Sequence, residues 1–519
     1  MKKSNVIIIL CIISIFSLGV VLVTLKKGDK RENSYKATTS QVKNENTKEN
    51  KEKKLKRNPK YVFLFIGDGN AMPQINAAEN YLSAKDGNGN KPNAYKIKES
   101  KLSFTRFPVM GMTTTYAADT FITDSASAGT AISTGNKTDD GVISMGSDRK
   151  TSYKTIAEIV RESGKKVGIV SSVSIDHATP AVFYAHNKTR KNYYEIAMDM
   201  PRSDFNYFAG GGLKEPIGKN KDKPHVHEEA KKLGYKIIKT KEDFNKLSNK
   251  DKKIIAESPV LDEEQALPYE VDNNKDGITL KEFTKKGIEV LNNEKGFFMM
   301  VEGGKIDWAC HANDATTSIK DTIAFDESVK VAIEFYEKYP EDTLIVVTAD
   351  HETGGLTQGF AGTGYDNYYD LLYNQKVSYD KFDNIVKNYL EEKKENAKFE
   401  EFMPNITKNF GLTTEGTDER LKLKDHELKQ LKDAFHMSMK DEKSRKLNLQ
   451  EKLLYGSYDP LTVTITHILN QKAGIGWTSY AHTGVPVPTF AKGQGEELFN
   501  GYYDNTDIFY KLKIALNLK

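Results

Sequence analysis

Residues 343–355 read TLIVVTADHETGG, in which six strand-forming residues and an alanine are followed by an acid, a histidine and a second acid, and then by a threonine and two glycines. Because the apolar residues do not alternate with polar ones, the run predicts a strand that is covered on both faces of its sheet. Three further runs have this form: YVFLFI (61–66), KVGIVSS (166–172) and FFMMVE (297–302). Such strands, separated by amphipathic helical stretches, predict an α/β fold with a largely parallel central sheet.

A polar loop follows each of the four predicted strands. In chain order the loops read GDGNAMP, IDHATPA, EGGKIDWACH and ADHETGG. In open α/β sheets, ligands bind in the crevice at the carboxyl ends of the strands. We therefore expect the four loops, with their carboxylates and imidazoles, to line one crevice.

Two pairs of residues in these loops have the spacing of metal ligands. Asp307 and His311 are four apart, so on a helix both project from one face and form half of a zinc site. Asp350 and His351 are adjacent, and the glycines behind them allow the two side chains to converge in a tight loop. A further imidazole, His482, lies in the loop GWTSYAHTG, although a single histidine is more often structural than a ligand.

The segment TDSASAGTAISTG (123–135) predicts a helix of small residues packed closely against a sheet. Asp124 and Ser125 fall at its N-terminus, where free backbone N–H groups and the helix dipole favour an anion. Ser125 is there either a helix cap or a nucleophile, and these residues alone leave both open. Arg190, near a second predicted helix start, offers a planar fork for two phosphate oxygens. Asp68, between two glycines, is either a presented ligand or the acid of a surface turn.

The composition of the chain indicates which partners and which covalent cross-links to expect. It has 519 residues with 76 basic and 72 acidic side chains, and this net charge of +4 gives no indication of a nucleic-acid partner. Of its two cysteines, Cys11 lies in an apolar leader, which excludes a disulfide within the mature domain. We expect Cys310 to be a small buried side chain and not a zinc ligand.

The N-terminal region predicts export. Residues 6–25 form an apolar run with lysines on both sides and without an Ala-x-Ala cleavage pattern. The run is long enough to cross a bilayer core of roughly 30 Å as a helix. Residues 1–26 are therefore either a membrane anchor or a signal peptide, and the rest is expected on the outer face of the cytoplasmic membrane or secreted. Residues 27–58 are charged and nearly without apolar side chains, which predicts a disordered tether.

Three stretches inside the remaining chain have unusual composition. Residues 219–253 are rich in lysine and are expected to form a solvated peripheral segment, and residues 362–472 are expected to form a helical insertion. The stretch DNNKDGITLKEF (272–283) is similar to a calcium-binding loop, but its acid, Glu282, comes one place too early. We expect instead a turn leading into a helix that Thr279 caps, with Glu282 as its capping-box partner.

Together these segments resemble the alkaline phosphatase family. Seven motifs occur in the family's order over almost all of residues 60–519, and they are GDGNAMP, TDSASAGTA, HATPA, HNKTRK, EGGKIDWACH, TADHETGG and YAHTG. The resemblance implies a three-layer α/β/α sandwich with two zinc ions and one magnesium ion in a crevice at the strand ends. It also implies that residues 59–519 are a catalytic domain that hydrolyses small phosphate monoesters through a phosphoserine intermediate, with a homodimer as one possible assembly.

Carried over by position, the resemblance implies a role for each residue that matches a family site. Ser125 would be the nucleophile, also in contact with zinc, and Arg190 the phosphate clamp. The ligands of one zinc ion would be Asp307, His311 and His482, and those of the other Asp68, Asp350 and His351. The magnesium ligands would be Asp68, Thr179 and Glu302.

Three more residues are implied beside these ligands, namely His177, Trp308 and Asp124. The best-known enteric bacterial members of the family have an aspartate in place of His177 and a lysine in place of Trp308, whereas many other members share the His and Trp pair. Because of this exchange, the magnesium affinity and the water-mediated contact with phosphate are expected to differ from those of the enteric bacterial members. Glu352 matches no family role, and we expect it to support the site or to orient His351.

Two other classes of protein compete with this interpretation. A phosphodiesterase or sulfatase of the same superfamily shares the metal scaffold, but sulfatases need a Cys/Ser-x-Pro-x-Arg pattern that TDSASAG lacks, and the phosphodiesterases usually use threonine as nucleophile. A surface-anchored binding protein without turnover would be indicated by the loss of a metal ligand, and each ligand position of the motifs is filled.

Overall fold

The computed structural model describes residues 58–85, 100–440 and 445–518. The predicted leader, residues 1–26, and the predicted tether up to residue 57 lie outside the described residues. Within the described ranges, no helix combines the length and the apolar character needed to cross a membrane.

A ten-stranded sheet forms the centre of the fold. Its strands, and those of two small two-stranded sheets, are β1 Tyr61–Gly67, β2 Val109–Thr114, β3 Lys166–Ser171, β4 Tyr207–Gly210, β5 Lys236–Ile238, β6 Ile254–Glu257, β7 Phe297–Gly303, β8 Thr343–Thr348, β9 Glu352–Thr353, β10 Thr357–Gln358, β11 Ile475–Gly476, β12 His482–Thr483, β13 Val487–Gly493 and β14 Gly501–Asp504. The strand order is β14-β2-β13-β8-β1-β7-β3-β4-β6-β5, and β13 runs antiparallel to both of its neighbours. The other pairings in this sheet are parallel, as the unbroken apolar runs predict.

The α-helices of the described residues are α1 Met72–Lys85, α2 Ser125–Thr134, α3 Ile156–Glu162, α4 Ala178–Ala181, α5 Tyr193–Arg202, α6 Val226–Lys232, α7 Lys241–Asn245, α8 Leu280–Leu291, α9 Lys305–His311, α10 Ala315–Lys338, α11 Tyr379–Lys393, α12 Phe399–Phe410, α13 Asp425–Ser438, α14 Leu449–Tyr455, α15 Pro460–Lys472 and α16 Thr506–Ala515.

Separate layers of helices cover the two faces of the sheet. On β1, Tyr61 and Phe63 belong to one buried cluster, together with residues of α1, α8 and α10. Val62 and Leu64 belong to a second buried cluster, together with residues of α2, α3 and α16. Because successive side chains of a strand point to opposite faces, these two clusters are the two cores of a three-layer α/β/α sandwich.

The four strands predicted from apolar runs lie next to one another in the sheet. They are β1, β3, β7 and β8, in the order β8-β1-β7-β3. The carboxyl ends of these strands are aligned, since Ile66 pairs with both Thr348 and Glu302, and Ser171 pairs with Glu302. The carboxyl ends of these parallel strands therefore meet at one edge of the sheet, which brings their polar loops together.

The lysine-rich stretch, residues 219–253, is part of the fold and not only a solvated segment. It contains α6, α7 and β5, and β5 is an edge strand of the large sheet. Most of its lysines are exposed, whereas Tyr235, Ile238 and Phe244 are buried. The expectation was incomplete because the many lysines mask the few apolar residues that anchor the stretch.

The described parts of residues 362–472 contain the five helices α11 to α15, as the predicted helical character requires. Phe382, Phe402 and Phe435 of these helices join the buried cluster that also contains residues of α1 and α10. The stretch that is similar to a calcium loop is a turn leading into α8, where Thr279 and Glu282 form a capping box. This prediction is confirmed.

Candidate active site

Four buried side chains stand at the carboxyl ends of the central strands. Asp68 follows β1 in a turn that Gly69 completes with a positive φ of 67°, Glu302 lies in β7, and Asp350 and His351 follow β8. All four are fully shielded from solvent. Burial of several carboxyl groups together is costly unless they are protonated or bind cations, so their proximity marks a functional site.

Asp68, Asp350 and His351 form a first cluster. His351 Nε2 lies 3.4 Å from Asp68 Oδ1 and 3.3 Å from Asp350 Oδ2. The other oxygen of Asp350 accepts hydrogen bonds from the backbone N–H groups of Gly69 (3.2 Å) and His351 (3.0 Å). Burial and then the charge of Asp307 raise the pKa of Asp350 to about 8. Two carboxylate oxygens and one imidazole nitrogen therefore converge within metal-binding range.

Asp307, His311 and His482 form a second cluster. Helix α9 places the first two on one face, as their spacing predicts, with His311 Nε2 3.4 Å from Asp307 Oδ1. His482 Nε2 lies 3.6 Å from the same oxygen. Each imidazole donates its Nδ1–H to a backbone carbonyl oxygen, His311 to Tyr480 (2.6 Å) and His482 to Thr123 (2.7 Å). These hydrogen bonds turn the Nε2 atoms of both rings towards Asp307 and towards each other, 3.1 Å apart, and metal-bound histidines are oriented in the same way by a hydrogen bond from the other ring nitrogen.

Thr353 connects the two clusters, and it is absent from the sequence-based prediction. Its hydroxyl donates to Asp307 Oδ1 (2.5 Å) and accepts from His351 Nδ1 (3.2 Å). The short strands β9 and β12 fix its position, since Thr353 pairs with His482. The available signal was its place two residues after His351, from which a hydroxyl can reach back to the imidazole.

Glu352 supports the loop and not the imidazole of His351. Its carboxylate accepts hydrogen bonds from Gln74 Nε2 (2.5 Å), from the backbone N–H groups of Gly355 (3.1 Å) and Leu356 (3.2 Å), and from the Thr483 hydroxyl. The expectation that it supports the site is confirmed, but Thr353 is the residue that orients His351.

Thr179 and Glu302 extend the first cluster on another side. Thr179 Oγ1 donates to Asp68 Oδ2 (3.3 Å), and Ser171 Oγ donates to Glu302 Oε2. Burial raises the pKa of Glu302 to about 7. Ser171 was also missed from the sequence, because its proximity to Glu302 depends on the register between β3 and β7.

Three carboxylate oxygens at the site have no hydrogen-bond partner among the described residues: Asp68 Oδ1, Glu302 Oε1 and Asp350 Oδ2. Buried polar atoms are nearly always hydrogen-bonded, so several unsatisfied oxygens in one place indicate bound cations. Imidazole and carboxylate donors suit zinc, whereas carboxylate and hydroxyl oxygens suit magnesium. The residues therefore fit the metal ions that the sequence motifs imply.

Ser125 opens helix α2 next to the first cluster. Asp124 is the N-cap, and its carboxylate accepts a hydrogen bond from the backbone N–H of Ser127 (2.9 Å). Ser125 is the first helical residue, so the alternative that it caps the helix is wrong. Its buried hydroxyl oxygen lies 3.2 Å from His351 Nε2, at the helix end that favours anions.

Arg190 is held beside this helix end by two side chains. Its Nη1 donates to Asp124 Oδ2 (2.9 Å), and its Nη2 donates to His177 Nε2 (3.2 Å). Burial and the charge of Arg190 lower the pKa of His177 to about 3, which keeps the imidazole neutral and able to accept. Trp308 packs edge-on against His177 with ring centroids 5.7 Å apart. Asp124 and His177 thus hold the guanidinium, and Trp308 packs behind His177.

Cys310 lies in the same helix as Asp307 and His311 but belongs to neither group of side chains described above as able to hold a metal ion. Its side chain is buried, and the thiol lies 3.1 Å from the Ser318 hydroxyl. Burial raises its pKa well above the usual range, which disfavours the thiolate that zinc requires.

Comparison with known proteins agrees with this geometry. The alkaline phosphatase family model matches residues 59–518. Alkaline phosphatase 4 of Bacillus subtilis is 33% identical over 453 residues, which cover 86% of each chain.

Solved structures give the same result. The cold-active alkaline phosphatase of a psychrophilic Shewanella has a TM-score of 0.71 and 29% identity, covering 88% of this chain and 99% of its own. A histidine-to-glutamate variant of the alkaline phosphatase from the Antarctic bacterium TAB5, with magnesium bound in its M3 site, has a TM-score of 0.60 and 27% identity, covering 89% of this chain and 99% of its own. With its fold, its strand-end clusters and these matches, the chain belongs to the alkaline phosphatase family.

Proposed function

We propose that this phosphatase hydrolyses phosphate monoesters through a phosphoserine intermediate on Ser125. The observation that carries the proposal is the position of the Ser125 hydroxyl at a helix N-terminus, 3.2 Å from His351 and next to the unsatisfied carboxylate oxygens. A nucleophile, an anion-binding helix end and a cation site thus share one crevice.

We further propose that the site holds two zinc ions and one magnesium ion. Zinc would bind to Asp307, His311 and His482 and to Asp68, Asp350 and His351, and magnesium to Asp68, Thr179 and Glu302. When bound, the zinc ions would supply Lewis acidity that lowers the pKa of a hydroxyl or water and stabilises a leaving oxygen. The magnesium in the TAB5 variant supports a third site in a related fold.

In the proposed reaction, Ser125 Oγ forms a bond to phosphorus as the bond to the ester oxygen breaks and the alcohol leaves. Arg190 and the first N–H groups of α2 bind the oxygens of the transferring phosphoryl group and stabilise their charge. Asp124 and His177 hold the guanidinium in place for this contact. Water then cleaves the phosphoserine, which releases inorganic phosphate and restores Ser125.

The test is turnover of p-nitrophenyl phosphate by the purified protein supplied with zinc and magnesium. Ser125→Ala is expected to lower kcat by about a thousandfold or more, because the nucleophile is lost. Ser133→Ala, in the same helix but about two turns away, is the control. The proposal is wrong if the folded, metal-loaded protein turns over no faster than Ser125→Ala.

A diester comparison separates this function from that of a phosphodiesterase. We expect kcat/KM for p-nitrophenyl phosphate to exceed that for bis-p-nitrophenyl phosphate. Acid quenching during turnover is expected to trap one phosphoryl group on Ser125, detectable by peptide mass spectrometry. Preference for the diester would replace the monoesterase proposal.

We also propose that the enzyme acts outside the cytoplasm. The support is the apolar run at residues 6–25 with its flanking lysines. In intact producing cells, the activity is expected in the medium or on the cell surface, accessible to added protease. Activity confined to the cell lysate would contradict this.

A further inference from the structure

Exposed apolar side chains stand on two neighbouring segments beside the site. Phe121 is 91% exposed and Ile122 46% exposed, and Val485 on the other segment is 42% exposed. We call these three residues the apolar rim. Exposed side chains of this size add nothing to the core, and several together mark a surface that binds apolar groups.

Two contacts show that these segments run side by side. His482 Nδ1 donates to the carbonyl oxygen of Thr123 (2.7 Å). A Cβ placed on Gly484 would lie 3.6 Å from the carbonyl oxygen of Phe121, with no other atom within 4 Å. The space above Gly484 is therefore open, and Phe121 and Val485 border it.

The apolar rim is also close in sequence to the reacting groups on both segments. Phe121 is four residues before Ser125, and Val485 is three residues after His482. The floor of the crevice is filled by Asp68, Asp350 and His351, none of which is exposed. A phosphate ester whose phosphorus is in reach of Ser125 must therefore direct its alcohol portion away from this floor, and the segment that carries the buried Ser125 leads outward to the exposed Phe121.

Lys137 contacts this loop and is already paired, and the exposed carboxylate of Asp119 within the loop accepts a hydrogen bond from the backbone N–H of Asp140 (3.1 Å). Lys137 donates to the carbonyl oxygen of Tyr116 (2.6 Å) and to Asn505 Oδ1 (2.7 Å), and it forms an ion pair with Asp504 (3.1 Å). Because its ammonium group already has these partners, Lys137 is not available to bind a second phosphate or a carboxylate of the substrate. The rim therefore offers an apolar surface.

We propose that the apolar rim binds the alcohol portion of the substrate and favours phosphate monoesters of apolar or aromatic alcohols. This inference rests on the proposed monoesterase function and names its substrate class. Phe121 supplies the largest surface, with Ile122 and Val485 beside it.

The test is kcat/KM for n-alkyl phosphates from propyl to octyl, whose leaving alcohols have nearly the same pKa. A fully buried methylene is worth roughly a fourfold gain, so contact on one side is expected to give about a twofold gain per methylene. Phe121→Ser is expected to remove most of this dependence, and Phe121→Trp to retain it. The inhibition constant of inorganic phosphate is expected to stay unchanged, because the rim does not bind the phosphoryl group.

Ile514→Ser is the matched control. Ile514 is 64% exposed on α16. Its neighbour Ala515 would lie 3.3 Å from a Cβ placed on Gly495, which follows the end of β13 that pairs with the start of β8. This is the edge of the sheet opposite the site, and we expect the wild-type dependence on chain length in this variant.

Two results overturn the inference: no dependence on chain length in the wild type, or the same dependence in Phe121→Ser. A second explanation of the exposed Phe121 is that it lies in a subunit contact, and light scattering tests this. If Phe121→Ser changes a dimer to a monomer and leaves the dependence intact, Phe121 belongs to a subunit contact. Failure of the proposed function itself is distinct, since the wild type would then hydrolyse none of the esters.

Discussion

One hydroxyl group, that of Thr353, links the imidazole of His351 to the carboxylate of Asp307. It accepts from the first and donates to the second, so the Nε2 atom of His351 is left without a proton. The Thr353 hydroxyl therefore orients one side chain of each cluster, although Thr353 itself is not among the predicted metal ligands.

Thr353→Val is expected to lower zinc affinity about 10- to 100-fold, because it keeps the shape of the side chain and removes both hydrogen bonds. Chelator competition measures the change. Thr357→Val is the control, since the Thr357 hydroxyl donates to the carbonyl oxygen of Gly359 (3.3 Å) in an exposed part of β10. Equal zinc affinity in the two variants would show that Thr353 has no part in ligand orientation.

Gly355, in the loop after β8, and Gly364, beyond β10, both have a positive φ. Gly355 has a φ of 60°, and a Cβ there would lie 1.9 Å from the Thr478 hydroxyl oxygen. Gly364 has nearly the same φ, 61°, but a Cβ there meets no atom within 4 Å. The two positions therefore differ in space and not in backbone conformation.

Gly355→Ala is expected to lower the free energy of unfolding by about 2–4 kcal/mol, and Gly364→Ala by about 1 kcal/mol, because only the first adds a clash to the backbone strain. Urea unfolding of both variants measures the difference. If the two losses are equal, the close approach of Thr478 does not constrain the loop.

Helix α15 carries a histidine that is buried in its neutral form. His467 Nε2 lies 3.0 Å from Asn313 Oδ1, and burial lowers the pKa of His467 to about 4. The unfolded chain binds this proton near pH 6.5, before the folded protein does. The contribution of His467 to stability is therefore complete above about pH 6.5 and is lost as the pH falls towards 4.

His467→Gln is expected to lose less stability than the wild type between pH 7 and pH 4.5, by at most about 3 kcal/mol. Urea unfolding of metal-free protein at both pH values tests this without interference from zinc release. His426→Gln, on an exposed position of α13, is the control. A pH dependence shared by all three proteins would assign the acid sensitivity to other groups.

At the scale of elements, long apolar runs were predictable and short pairings were not. The run TLIVVT is β8 residue for residue, because six buried side chains in a row leave few alternatives. Strands β9 and β12 have two residues each and lie about 130 positions apart, as shown by the pair Thr353 and His482. No local pattern encodes such a pairing, so the Thr353 contacts could not be read from the sequence.

The site was predictable as a set of residue types but not as a network. Asp307 and His311 were predictable from their spacing, and Asp350 and His351 were predictable because they follow a predicted buried strand. The carbonyl oxygens of Thr123 and Tyr480, which orient two imidazoles, belong to the backbone and have no signal in the side-chain sequence.

At the scale of the whole molecule, we expect bound metal ions to stabilise the folded protein. Asp68, Glu302 and Asp350 are buried with unsatisfied oxygens, so removal of cations leaves their carboxyl groups uncompensated. Each site filled at about 100 times its Kd is expected to add about 2.7 kcal/mol to the free energy of unfolding. Urea midpoints measured with a chelator and after zinc addition check this gain.

Asp350→Asn is the matched variant, because it removes one ligand and is expected to show a smaller zinc-dependent gain. Identical midpoints with and without metal ions in the wild type would mean that the clusters do not bind cations in the folded state.

The hydrogen bond between His482 and Thr123 spans 359 positions of the chain. It has a consequence for biosynthesis. A nascent polypeptide cannot complete the second cluster until residue 482 has left the ribosome, even though Asp68 and Ser125 emerged long before. Metal loading of the second cluster is therefore coupled to synthesis of residue 482, whereas Asp68, Asp350 and His351 of the first cluster are all present once residue 351 has been made.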